Sequence, residues 1–129
     1  MLTCAALILA VEVIRPRMTT YWAHACRLEA FENRQIIGVT VEDMHLVVIR
    51  DGDRFFAAER ACPHEGADLA QGRCSGAVLH CPRHLAWFDL QDGAVSSGWS
   101  FRALDVYPAR LVGRDIWVDL SRENFKKRS

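Results

Sequence analysis

Two short motifs hold the residues of this chain best suited to chemistry: Cys62-Pro63-His64 and Cys81-Pro82-Arg83-His84. Each offers one thiol and one imidazole, and sixteen residues separate them. A thiolate is a soft anionic ligand and a neutral imidazole a borderline one, so two such loops can wrap a metal centre from two sides. The stretch from Arg60 to Trp99 concentrates Gly, Pro, Cys and His and lacks a periodic apolar pattern. A long segment of that texture is functional or disordered rather than a plain connector.

Two metal chemistries compete for the four ligands. Zinc takes Cys₂His₂ sites, but its thiolates commonly lie about two to four residues apart in one knuckle. Here each loop mixes one Cys with one His, which favours an iron–sulfur group with thiolates on one iron and imidazoles on the other. The run Cys62-Pro-His64 to Cys81-Pro-Arg-His84-Leu-Ala-Trp-Phe-Asp resembles the Rieske signature, and the likeness extends from about Tyr21 to Leu120. The resemblance implies one [2Fe–2S] cluster, with Cys62 and Cys81 on the inner iron and His64 and His84 on the outer, solvent-facing iron. Two ferric ions, two sulfides, two thiolates and two neutral imidazoles sum to zero charge. One-electron reduction then leaves a single negative charge, as suits a carrier.

Departures from the respiratory-chain members of that family narrow the expectation. Those proteins join their cluster loops by a disulfide, whereas the matching positions here are Ala67 and Arg83. They also place hydroxyl donors where this chain has Ala86 and Phe88. Hydrogen bonds to cluster sulfur stabilise the reduced state, so their loss implies a potential near the lower end of the Rieske range, about −150 mV. The chain thus resembles the Rieske ferredoxins of bacterial ring-hydroxylating dioxygenases. The resemblance implies a non-enzymatic, cytoplasmic electron carrier between a flavin-dependent ferredoxin reductase and a terminal oxygenase α subunit.

The elements that must position these loops read as β-structure. Ile36–Val41 and Leu46–Ile49 are β-branched, Asp51-Gly52-Asp53 marks a turn, and Phe55–Ala58 returns. Leu104–Tyr107 and Ile116–Leu120 alternate apolar with polar residues around a turn at Val112–Asp115. Short strands with frequent turns predict an all-β sandwich or small barrel, and the resemblance implies the Rieske fold: an antiparallel sandwich or barrel base with a small cluster-binding subdomain. The domain is expected over 18–121 and the subdomain over about 60–99. Residues 1–17 read as an extension upstream of a natural start at Met18, or as an extra strand or short helix. The basic tail 122–129 is expected to be solvated.

Composition sets outer bounds. Sixteen Lys and Arg balance sixteen Asp and Glu, which argues against a nucleic-acid partner and against a polybasic membrane anchor. The apolar run Leu2–Val11 is about ten residues, against about 20 for a membrane span. Five cysteines, an odd number, without a secretory signal suit a reducing compartment. Cys74 reads as a small buried or half-buried side chain, Cys4 and Cys26 as packing residues, and His80 as a strand residue. His24 and His45 read as surface or core-edge histidines, and Trp87 and Phe88 as core by default. Glu65 and Arg83 are candidate docking charges on the loop rims. The rival functions are a Rieske-type small subunit of a nitrite reductase and a zinc-bound interaction module. A Rieske oxygenase needs a further large domain with a mononuclear iron site. Nine residues follow Leu120, and such a domain is not expected.

Overall fold

A computed structural model of the chain describes residues 21–64, 66–83, 86–99 and 101–121. The expectations placed on 1–17, on the tail 122–129, and on Cys4, Glu65 and His84 lie outside these residues. Nine strands follow in order: β1 (Trp22–Arg27), β2 (Ile36–Val41), β3 (Met44–Asp51), β4 (Arg54–Glu59), β5 (Arg73–Ser75), β6 (Val78–His80), β7 (Trp87–Asp89), β8 (Val106–Val112) and β9 (Asp115–Asp119). They form two antiparallel sheets: six strands in the order β1-β9-β8-β4-β3-β2, and three in the order β5-β6-β7. β1 also lies against β2, so the large sheet curls until its edges meet. The protein is all-β, a barrel-like base carrying a small second sheet, as the sequence led one to expect.

The large sheet is built on β3, whose residues Leu46, Val47, Val48 and Ile49 are all buried. Successive side chains alternate faces, so such a run must be covered on both sides. Val47 and Ile49 pack toward the small sheet, together with Leu79, Phe88 and Leu104. Leu46 packs with Val41, Tyr107 and Val118, and Val48 with Phe31 and Ile116, in the interior of the curled sheet. The hairpin turn between β2 and β3 is Glu42-Asp43, both with positive φ (51° and 70°). Two-residue hairpins need that geometry, although neither residue is the glycine that usually supplies it.

The stretch without periodicity resolves into the small sheet. Its strands are three residues each, too short to print a pattern on the sequence. Cys74, Leu79 and Phe88 pair across it and face the core, while Arg73, His80 and Trp87 pair on its outer face. Trp87, expected in the core, is therefore 41% exposed, because β7 alternates and Phe88 takes the inward position. The strand expected at Leu104–Tyr107 begins two residues later. Leu104 is instead a fully buried loop residue.

Candidate metal centre

Two hairpin loops of equal length carry the sequence motifs. Residues 62–67 lie between the bridged pair Ala61 and Asp68, and residues 81–86 lie between the pair His80 and Trp87. In each, the cysteine is the first residue, and its N–H donates to the carbonyl five residues on. Cys62 bonds to Ala67 at 2.8 Å and Cys81 to Ala86 at 3.1 Å. The Cys62 carbonyl also accepts from the Gly66 N–H at 2.8 Å. Two backbones closed alike present two thiols from equivalent places. Both cysteines are buried, in the core cluster between the sheets, whereas His64 is exposed.

The first loop is clamped at its base. Arg60 donates from Nε and Nη2 to the two Asp68 oxygens at 2.8 and 3.0 Å. Its guanidinium lies across Gly38, where a Cβ would stand 2.2 Å from Nη1. Asp68 also accepts from the Ala70 N–H at 3.0 Å, capping the short 3-10 turn Leu69–Gln71. The neighbouring Glu59 receives both Arg102 nitrogens at 2.7 Å and the Asp105 N–H at 2.7 Å. The end of β4 thus anchors the loop that carries Cys62 and His64 and the later segment that carries Arg102.

The Arg60 guanidinium holds the Asp68 carboxyl below its ordinary range. A carboxylate depressed by folding stabilises the fold above its unfolded pKa, about 4, and loses that contribution as pH falls through the folded value. Both side chains are partly exposed, so the pair contributes about 1 kcal/mol or less. Wild type and Asp68→Asn are therefore expected to differ most in urea midpoint at neutral pH. The difference narrows below about pH 4, and a gap that widens on acidification refutes the assignment.

A third segment meets the loops. Ser96 is buried; its Oγ accepts from the Trp87 N–H at 3.1 Å and its own N–H donates to the Trp87 carbonyl at 2.9 Å. Further on, Phe101 stacks on the His64 ring at 4.9 Å with 12° between planes, and Trp99 meets that ring edge-on at 5.3 Å. Arg60, Asp68, Ser96, Trp99 and Phe101 were not singled out by sequence reasoning. The signal available for two of them was an aromatic pair within a Gly- and Ser-rich run.

Among the remaining sequence candidates, Cys74 is buried in β5. Burial, and secondarily the Asp51 carboxylate, push its thiol up, so it stays protonated at neutral pH. His80 is the last residue of β6, and burial next to Arg73 pushes its imidazole down. Cys26 is half-buried in β1. His24 and His45 are exposed, His24 on the Asp115 carboxylate at 2.9 Å. Arg83 is exposed on the rim of the second loop.

The donors present fit a two-iron group. A [2Fe–2S] group divides its donors between two metals, two to each. Buried sulfur donors and an exposed nitrogen donor match that division.

Comparison with known proteins agrees. Residues 21–108 match the Rieske [2Fe-2S] domain. The ferredoxin component of the naphthalene 1,2-dioxygenase system of Pseudomonas aeruginosa is 28% identical over 104 residues, 81% of this chain and all of that one. The biphenyl dioxygenase ferredoxin subunit of Pseudomonas sp. (strain KKS102) is 30% identical over 99 residues, covering 76% of this chain and 91% of the relative. A chain in a complex of reduced oxygenase and oxidized ferredoxin of carbazole 1,9a-dioxygenase superposes with a TM-score of 0.65. It is 29% identical, with 76% of this chain and 92% of that chain covered. The matched stretch contains both cysteine-headed loops and the small sheet that carries them, and the chain accordingly belongs to the Rieske [2Fe–2S] domain family, whose cofactor is one [2Fe–2S] cluster.

Proposed function

We propose that this protein is the ferredoxin of a ring-hydroxylating dioxygenase system. It takes one electron at a time from a flavin-dependent reductase in the cytoplasm and delivers it to the α subunit of a terminal oxygenase. The observation that carries this reading is the pair of matched loops, each headed by a buried cysteine, with an imidazole exposed at the tip of the first. In this reading Cys62 and Cys81 hold one iron, and His64 and His84 hold the other. The bound cluster supplies a one-electron site whose use makes and breaks no bond. The chain's own residues keep the thiolates from water, present imidazole at the surface and hold both loops rigid. The naphthalene and biphenyl relatives are named as dioxygenase ferredoxins, and the carbazole structure pairs a ferredoxin with its oxygenase, which supports the oxygenase as acceptor. Among the described residues, no helix is long and apolar enough to cross a membrane.

The test is reconstitution. Purified protein is expected to show the visible bands of a Rieske cluster, to take up one electron per chain, and to be required for product formation by a reductase and an oxygenase of this class. Colourless protein holding zinc without iron and sulfide overturns the reading.

The outer row Arg73, His80 and Trp87 is part of the expected docking face, because it adjoins the second loop and joins an exposed Trp to an exposed Arg. Those two residue types dominate interface energetics, and redox encounters use small, charge-guided patches. Trp87→Ala and Arg73→Glu are each expected to raise the oxygenase's apparent KM for this protein about tenfold with little change in kcat. The Arg73 effect shrinks at high salt. Unchanged KM in both variants removes this row from the interface.

A further inference from the structure

The two ligand loops hang from different sheets. The first follows β4 of the large sheet, and the second joins β6 to β7 of the small one. Their cysteines share one core, but His64 lies at an exposed tip, where an imidazole ring turns freely unless something holds its plane. Among the described residues, the ring stacked on it belongs to neither loop. Phe101 lies nearly parallel to the His64 ring, with centroids 4.9 Å apart. Phe101 in turn packs at 6.0 Å on Phe88, which is fully buried and stands two residues beyond the end of the second loop. Trp99 closes the group, 5.3 Å from His64 and 5.8 Å from Phe101. A side-chain relay therefore runs from the tip of the first loop to the strand that closes the second.

We propose that Phe101, backed by Phe88 and flanked by Trp99, is a positioning residue that sets the plane of the His64 imidazole and ties the two ligand loops together. The proposal rests on the reading of His64 as a ligand. A ligand held in its bound orientation before the metal arrives loses less freedom on binding. Groups that orient a metal's ligands typically change metal affinity about 10–100-fold when removed. Leucine at 101 keeps apolar bulk but cannot stack, whereas tyrosine keeps the plane.

The experiment uses the cluster-loaded protein. The readouts are the EPR spectrum of the dithionite-reduced state and the rate at which visible absorbance decays in EDTA. Phe101→Leu is expected to shift or broaden the EPR lines and to release iron about tenfold faster. Phe101→Tyr is expected to restore both to within about twofold. Trp99→Leu, at a half-buried position, moves both in the same direction by less. Phe31→Leu is the structural control, since Phe31 is fully buried in a cluster with Ile37, Val48 and Ile116. It is expected to lower Tm while leaving the EPR lines and the release rate as in wild type. A wild-type spectrum and release rate in Phe101→Leu overturn the proposal, as does Phe31→Leu reproducing the effects of Phe101→Leu. Wild-type protein without a reduced-state Rieske signal overturns the ligand reading and the proposal with it.

Discussion

Cys62→Ala and Cys81→Ala are each expected to abolish the visible absorption of the purified protein and its one-electron uptake, while Cys74→Ala leaves both intact. All three side chains are buried in the same core cluster, so burial alone does not separate them. What separates them is the backbone. Cys62 and Cys81 head matched six-residue loops closed by equivalent hydrogen bonds, and Cys74 is the middle residue of a strand. A metal ligand must give up its proton, and at Cys74 the Asp51 carboxylate adds to burial in opposing that. Cluster binding also couples to folding, because a group that binds only the native chain stabilises it. The two ligand variants are therefore expected to melt about 10 °C or more below the loaded wild type. Cys74→Ala removes one buried sulfur and costs about 1–2 kcal/mol. Absorbance, iron content and thermal melting of the three variants check this together. Retention of the bands in either ligand variant refutes the assignment.

Gly93→Ala is the second large expected effect, and it acts on the fold. Gly93 has φ +83°, a region that costs an L-residue about 1 kcal/mol. A Cβ there would also stand 2.0 Å from the Leu104 carbonyl oxygen, a backbone atom that cannot swing aside. The approach is held from both ends: Gly93 donates to the Asp89 carbonyl at 2.6 Å, and Leu104 donates to the Gly93 carbonyl at 2.9 Å. Relief would require moving Leu104, which is fully buried between the sheets. The expected loss is about 3 kcal/mol or more, a Tm drop of about 10 °C. Gly76 and Gly113 also have positive φ, but nothing lies within 4 Å of a Cβ at either. Alanine at those positions is expected to cost only about 1 kcal/mol. Equal melting of all three variants shows that the approach to Leu104 is not what makes Gly93 necessary.

Much of the base was legible from local pattern. Ile36–Val41 is a strand with the expected bounds, and Asp51-Gly52-Asp53 turns β3 into β4. The Glu42-Asp43 turn was not legible, because its two left-handed residues lack the glycine or asparagine that advertises such a turn. β5, β6 and β7 were hidden for a different reason. Three residues span little more than one alternation, so Trp87 and Phe88 read alike until the register with β6 sends one inward and the other out.

The sequence alone determined which donors are available, in what order, and how long each loop between them is. These are local quantities, set by residue type and spacing. Only the tertiary structure decided what the loops stand on. Arg102 reaches Glu59 across 43 residues of chain, and Phe101 meets His64 only because the return segment folds over the first loop. Val47 and Ile49 turn toward the small sheet, and Leu46 and Val48 away from it, although all four read as one apolar run. Such choices depend on strand register and packing between distant segments, which no short window of sequence contains.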